Sequence, residues 1–211
     1  MDKNTKIINV NDKDVYSITS GILERGGVII YPTETLYGIG CFATDRDAIN
    51  EIFDVKERAR GNPFILLAGD FEMLEKYFHV PDEVKNNKEK FIAAPLTIIF
   101  NKKEDLPGEL SAGMDTVGVR ISSNSFVKEL FNHIDRPLVS TSANISGEEN
   151  TYSSSEIIGL FDKKVDLIID SGNLPHSNGS SIIDVTTSPP RLLREGDIKK
   201  DDLKEFLSGD D

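Results

Sequence analysis

Apolar positions along the 211-residue chain fall into two rhythms. From Asn11, Val15, Ile18, Ile22 and Leu23 recur with helical period, Asn11 and Asp14 stand at capping-box spacing, and Gly26-Gly27 marks a stop. The next run, "VIIYP" at 28–32, is continuously apolar and predicts a buried strand. After the turn-like "PTET", the stretch "LYGIGCFA" at 36–43 reads as extended. Thr44-x-x-Asp47 then opens a helix with Ala48, Ile49, Ile52 and Phe53 on one face, predicted to stop at Gly61 with Pro63 just beyond.

The alternation continues to the end of the chain. Strands are predicted at 64–68, 96–100, 117–121, 137–141, 165–170, 181–185 and 191–194. Helices are predicted from Asp70, from Pro81, around 125–131 with serine at its start, behind Ser153-x-x-Glu156, and near the acidic C-terminus. Helices mixed with lone strands and adjacent strand pairs imply an α/β fold with a mixed sheet, in a single domain over 1–207 with a disordered tail at 208–211.

Charge narrows the function. The chain carries 36 acidic against 24 basic residues, a net charge of -12, which argues against a broad basic surface of the kind that binds nucleic acid. Any anion site must be local. One cysteine and three scattered histidines give no disulfide framework and no zinc spacing, so no metal site is expected. Without a signal-peptide core or a bilayer-length apolar run, the expected setting is cytoplasmic and without membrane contact.

Against that background "VKERARGNPF" at 55–64 stands out, with Lys56, Arg58 and Arg60 at alternate positions. The plain reading is a helix end complementing its own dipole. Residues two apart lie about 200° apart on a helix, however, so Lys56 and Arg58 can meet one anion only if the helix unwinds. A second polar stretch follows a buried strand: Ser140, Thr141, Ser142, Asn144 and Ser146 in "PLVSTSANISG". The segment "YPTETLYG" has the same plan, with Thr33, Glu34, Thr35 and Tyr37 beyond the strand, where ligands bind in open α/β sheets. Arg120 and Arg194 stand near strand ends and could offer planar forks to phosphate. "GIGCFA" matches the form of a dinucleotide fingerprint but lacks its strand–turn–helix context, and Ser125-x-x-Lys128 lacks the partner motifs of a serine acyl-enzyme.

Taken in order, "GGVIIYPTETLYGIG", "VKERARGNPF", "PLTIIF", "TVGVRIS", "PLVSTSANISG", "SSIIDVT" and "RLLREGDI" resemble the YrdC-type family of threonylcarbamoyl-AMP synthases over nearly the full chain. The family's paired signature K-x-R and S-x-N falls on Lys56, Arg58, Ser142 and Asn144, and the extent is that of the short, catalytic-domain form. The resemblance implies a twisted mixed sheet flanked by helices around a deep basic cavity. It also implies a reaction of L-threonine, bicarbonate or carbon dioxide, and ATP with Mg²⁺, giving threonylcarbamoyl-AMP and pyrophosphate. Other proteins would then transfer the threonylcarbamoyl group to tRNA beside the anticodon, with at most weak direct tRNA binding here.

By the same resemblance Lys56, Arg58, Ser142 and Asn144 are the catalytic set, and Arg60 is left to the helix. Thr33, Thr35, Tyr37, Pro63, Thr97, Arg120, Ser140, Ser180 and Arg194 would bind threonine and ATP. Glu34 stands where the family usually has aspartate, Ala59 replaces a common proline, and "AAPLT" lacks a usual Pro-Gly pair. Two other functions fit the resemblance less well. A carbamoyl-adenylate-forming domain of a carbamoyltransferase would come with zinc-finger and acylphosphatase-like segments, and a non-enzymatic RNA-binding module sits badly with the charge.

Overall fold

In the computed structural model, which describes residues 3–92, 95–103 and 106–203, the apolar rhythms become one mixed sheet with helices on both faces. The strands are β1 (Lys6–Asn9), β2 (Ile29–Pro32), β3 (Tyr37–Gly40), β4 (Ile65–Ala68), β5 (Phe78–His79), β6 (Leu96–Lys102), β7 (Thr116–Ile121), β8 (Leu138–Ser142), β9 (Leu167–Asp170), β10 (Ser181–Asp184) and β11 (Arg191–Arg194). The helices are α1 (Val15–Glu24), α2 (Arg46–Val55), α3 (Phe71–Tyr77), α4 (Asp82–Asn86), α5 (Lys88–Ile92), α6 (Ser125–Leu130) and α7 (Ser154–Phe161), with a 3₁₀ turn at Gly108–Ser111. The short helix expected near the C-terminus and the tail at 208–211 lie outside the described residues.

Neighbouring strands run in the order β1-β9-β2-β3-β8-β4-β7-β6-β10-β11, with β5 paired to β6 off that path. Parallel pairs (β1 with β9, β2 with β9, β4 with β7, β6 with β10) are mixed with antiparallel ones (β2 with β3, β3 with β8, β4 with β8, β6 with β7, β10 with β11), which is the mixed sheet expected. Period-two alternation sends Ile29 and Tyr31 to one face and Ile30 to the other. On the first face they pack with Val15 and Leu23 of α1 and Phe126, Val127 and Leu130 of α6. The opposite face, larger, packs on Ile49, Ile52 and Phe53 of α2 and Ile157 and Phe161 of α7. Burial on both faces explains why these strands read as continuous apolar runs. No helix among the described residues is long and apolar enough to cross a membrane.

Several local expectations shift. Asp14 precedes α1 without a side-chain cap, and its N–H is taken by Asp12 Oδ1 at 2.9 Å, so the Asn11–Asp14 capping box does not form. Asp45, not Thr44, caps α2 by accepting from Ala48 N at 3.0 Å. Asn124, not Ser125, caps α6. In each of the last two the oxygen that reaches the free amides of the first turn belongs to the residue just before the helix. The glycines of "GIGCFA" serve the sheet: a Cβ on Gly40 would stand 2.0 Å from Val139 O of the neighbouring β8.

Candidate active site

The largest departure from expectation creates the site. α2 ends at Val55 and does not continue to Gly61. Glu57 takes a left-handed φ of 52°, Arg58 N reaches back to Phe53 O at 2.9 Å and Glu57 N to Asp54 O at 3.2 Å. These two bonds are a Schellman termination with glutamate at the position that glycine usually fills. The chain therefore leaves the helix at Lys56, which still donates its N–H to Ile52 O at 3.1 Å as the cap, and this frees Arg58 and Arg60 from helical geometry.

Each then goes its own way. Lys56 is 1% exposed, and its ammonium donates to Ser142 O, to Asn144 O at 2.7 Å and to Asn144 Oδ1 at 3.1 Å. Burial, with the nearby Arg58 charge, lowers it to about 7. Arg58 donates from Nη2 to Pro63 O at 2.8 Å and lies over the Phe64 ring, 5.0 Å from its centroid; burial lowers its pKa. Arg60 turns back along α2 to Asn50 and to Asp54 at 3.2 Å.

The polar shelf after β8 is tied to this corner. Ser142 Oγ donates to Asn144 Oδ1 at 2.7 Å, Asn144 Nδ2 donates to Glu148 O at 2.7 Å, and Ser146 N donates to Lys56 O at 2.9 Å. The two halves of the signature, 86 residues apart, thus form one network. Beyond β2, Thr33 Oγ1 accepts from Thr35 N and Leu36 N, both at 3.1 Å, closing the turn. Thr35 Oγ1 accepts from Arg120 Nη1 at 3.3 Å.

Arg120 itself is 7% exposed on β7, with Nη1 2.8 Å from Glu34 Oε1. Ser122 Oγ donates to the other Glu34 oxygen. The Arg120 Nη1 contact is an ion pair out of hydrogen-bond alignment, and Arg120 Nε has no partner among the described residues. Across the site, Arg194 Nε and Nη2 donate to Ser180 O at 3.1 and 2.7 Å, and Ser180 Oγ lies 2.7 Å from Thr97 Oγ1. Burial, with Arg120 nearby, lowers Arg194.

These groups surround a cavity of about 430 Å³. Ten of the thirteen residues singled out in the sequence line it, the exceptions being Lys56, Asn144 and Thr97. Those three stand one layer back, each bonded to a lining residue. Tyr37 lines the cavity but spends its hydroxyl on structure, donating to Gly172 O at 2.7 Å and accepting from Ser171 N at 3.0 Å; burial raises its pKa. Asn150, His176, Ser177 and Asn178 also line the wall and were missed. The signal was present in "HSNGS" at 176–180, a polar run that precedes a strand, whereas the polar stretches that stand out after β2 and β8 follow one.

The lining presents three guanidinium groups, Arg58, Arg120 and Arg194, with hydroxyls and amides between them and, among the described residues, no carboxylate. Such a wall suits an anionic ligand with several oxygens. Among the described residues no group of three or more His, Cys, Asp or Glu could hold a metal ion.

Residues 21–196 match the Sua5/YciO/YrdC family model, whose description is telomere recombination. The chain is 34% identical over 207 residues to the threonylcarbamoyl-AMP synthase of Pyrococcus abyssi, covering 96% of this chain and 61% of that one. A Methanocaldococcus jannaschii protein provisionally named for the same activity is 35% identical over 196 residues, which is 92% of each chain. The crystal structure of P. abyssi Sua5 complexed with L-threonine matches with a TM-score of 0.90 at 34% identity, over 96% of this chain and 61% of the other. The chain thus spans less than two thirds of the P. abyssi protein. With the family model covering most of its length and the fold agreeing, the chain belongs to the Sua5/YciO/YrdC family.

Proposed function

We propose that the cavity makes threonylcarbamoyl-AMP: L-threonine, bicarbonate and ATP give threonylcarbamoyl-AMP, pyrophosphate and water. The observation that carries this reading is the convergence of Arg58, Arg120 and Arg194 with the Ser140–Ser142 shelf on one cavity of about 430 Å³. A volume of that order lies within the usual range for small-molecule sites. The relative crystallised with L-threonine and the P. abyssi synthase support the choice of substrates.

The threonine amine first forms a C–N bond, either to carbon dioxide with loss of its N–H proton to solvent or to bicarbonate with a C–O bond breaking and water leaving, and either route gives a carbamate. A carbamate oxygen then attacks the α-phosphorus as the bond to the bridging oxygen of the β-phosphate breaks. Both partners are anions, so the site has to neutralise charge and align them. Arg58 and Arg194 take phosphate oxygens, and Arg120 takes the threonine carboxylate or the carbamate. Ser142 donates to the reacting phosphate once its hydroxyl turns from Asn144. Lys56 and Asn144 act from behind the shelf, Lys56 fixing Ser142 and Asn144 through their carbonyls and adding positive charge. Thr33, Thr35, Pro63, Ser140 and Ser180 shape the pocket, with Tyr37 and Thr97 holding its walls.

With no carboxylate among the described residues of the lining, Mg²⁺ fits as an ion carried on the triphosphate, where it would offset phosphate charge. The product is a mixed carboxylic–phosphoric anhydride. It suits consumption by a transfer machinery that delivers the threonylcarbamoyl group to tRNA.

The test is pyrophosphate release from ATP with threonine and bicarbonate, then with either omitted. Release that ignores threonine would overturn the proposal. Arg58→Ala is expected to lower kcat/KM by about a hundredfold or more, the scale of losing a charge-stabilising donor, while Arg60→Ala costs only a few-fold. Equal losses would mean that the cluster acts as a diffuse field.

A further inference from the structure

The wall formed by residues 176–180 belongs to a stretch without regular structure, running from Ser171 to Ser180 between β9 and β10. Something other than a backbone ladder must hold it. At its start Tyr37 OH holds Ser171 and Gly172. In its middle Leu174 N donates to Tyr152 O at 2.9 Å, and nearer its end Tyr152 OH donates to Ser177 O at 2.7 Å. Its end, the part that lines the cavity, is held from the chain just past the edge strand β11. Asp197 Oδ2 accepts from Ser177 Oγ at 2.5 Å, and Asp197 Oδ1 accepts from Asn178 N at 2.8 Å and Asn178 Nδ2 at 3.2 Å. The backbone completes the clasp, with Asp197 N donating to Gly179 O at 2.9 Å. Gly196 sits so close that a Cβ there would stand 2.3 Å from Gly179 O.

We infer that Asp197 is a positioning residue for the proposed reaction, fixing Ser177 and Asn178 so that the 176–180 wall faces Arg194 and the hydroxyl shelf. Asp197 does not line the cavity, and it lies one residue past the stretch that the family model matches. Its effect runs through the loop. Ser177 Oγ, oriented by the carboxylate, in turn accepts from Gly179 N at 2.9 Å, so a single side chain sets three consecutive residues. The bonds from Ser177 and Asn178 and the nearby His176 hold the carboxyl below the usual carboxylate range, although partial burial alone would raise it. Asp197 is therefore ionised, and a full acceptor, at any pH near neutrality.

The inference rests on the proposed synthase reading, and its test separates the two. In the full chain, Asp197→Ala should speed amide hydrogen exchange at Asn178 and Gly179 by about tenfold or more relative to the core strands. It should also raise the KM for ATP and for threonine by about tenfold while kcat falls less than about threefold, the pattern of a displaced binding wall. Asp197→Asn, which keeps one acceptor oxygen for Asn178, should recover most of the loss in KM. Unchanged exchange in the loop, or unchanged KM values with a lowered melting temperature, would overturn the inference and leave Asp197 a structural residue only. If the wild-type protein shows no threonine-dependent pyrophosphate release, the synthase reading falls. Loop exchange and calorimetric ATP binding then decide the role of Asp197 by themselves.

Discussion

Lys56 is the residue at which burial and charge pull hardest against each other. Its three oxygen partners match the three N–H bonds of an ammonium, while desolvation and Arg58 oppose the charge and bring it to about 7. A triphosphate arriving beside Arg58 adds negative charge and must raise that value. Between the free and bound values, binding takes up a proton, so ATP affinity should be highest below about pH 7 and fall by up to tenfold per unit above it. Calorimetry at pH 8 in two buffers of different ionisation enthalpy should register the uptake, and Lys56→Met should abolish it; equal uptake in the variant would assign the proton elsewhere. For the free protein the sign is opposite in effect: a lowered lysine leaves the unfolded chain holding more protons between about 7 and 10.5, so stability rises with pH across that window. The pairing of Lys56 and Arg58 with Ser142 and Asn144 was legible as a motif. That Lys56 stands behind the shelf was not, because two of its three acceptors are backbone carbonyls, which every residue has and no sequence marks.

At the scale of elements, apolar runs located the long-range core strands well, because burial on both faces leaves a strand little choice of residue type. β1 escaped notice, since "KIIN" is an edge strand of four residues with three of them exposed. The two-residue β5 carries too little pattern to read. Strand order was not legible either: β3 and β8 pair across about a hundred residues, and nothing local specifies that contact. The end of α2 is the instructive error, because Gly61 and Pro63 looked like the stop while the helix ends through Glu57 at φ 52°. A left-handed non-glycine residue carries about 1–2 kcal/mol of steric cost. Glycine removes it at some expense in unfolded-state entropy. The Glu57 side chain has no hydrogen bond or ion pair among the described residues, and its backbone bond to Asp54 O is one that glycine also makes, so Glu57→Gly should stabilise the protein by about 0.5–1 kcal/mol, read as a higher denaturant midpoint at unchanged slope. A lower midpoint would mean that the glutamate side chain contributes something the Schellman geometry does not explain.

With 36 acidic and 24 basic residues, the whole molecule sets a negative field around a cavity whose wall includes Arg58, Arg120 and Arg194. At physiological ionic strength charges more than about 8 Å apart are largely screened from one another. The cavity is therefore governed by Arg58 and Arg194 at its wall, with Arg120 partly offset by Glu34 2.8 Å away, and a small polyanion inside it meets these cations at short range. A tRNA is a different ligand: it is too large for a cavity of about 430 Å³ and must meet the outer surface, where acidic residues prevail. Affinity for a nucleic acid backbone comes from basic side chains that displace condensed counterions, and each contact steepens the dependence on salt. With few such contacts available, filter binding at physiological salt should find tRNA held more weakly than about 10 µM, with a shallow slope of log affinity against log salt. Tight binding with a steep slope would require a basic surface assembled from this acidic chain. It would replace, in the proposed reaction, release of product to a separate machinery with direct transfer to tRNA on this chain.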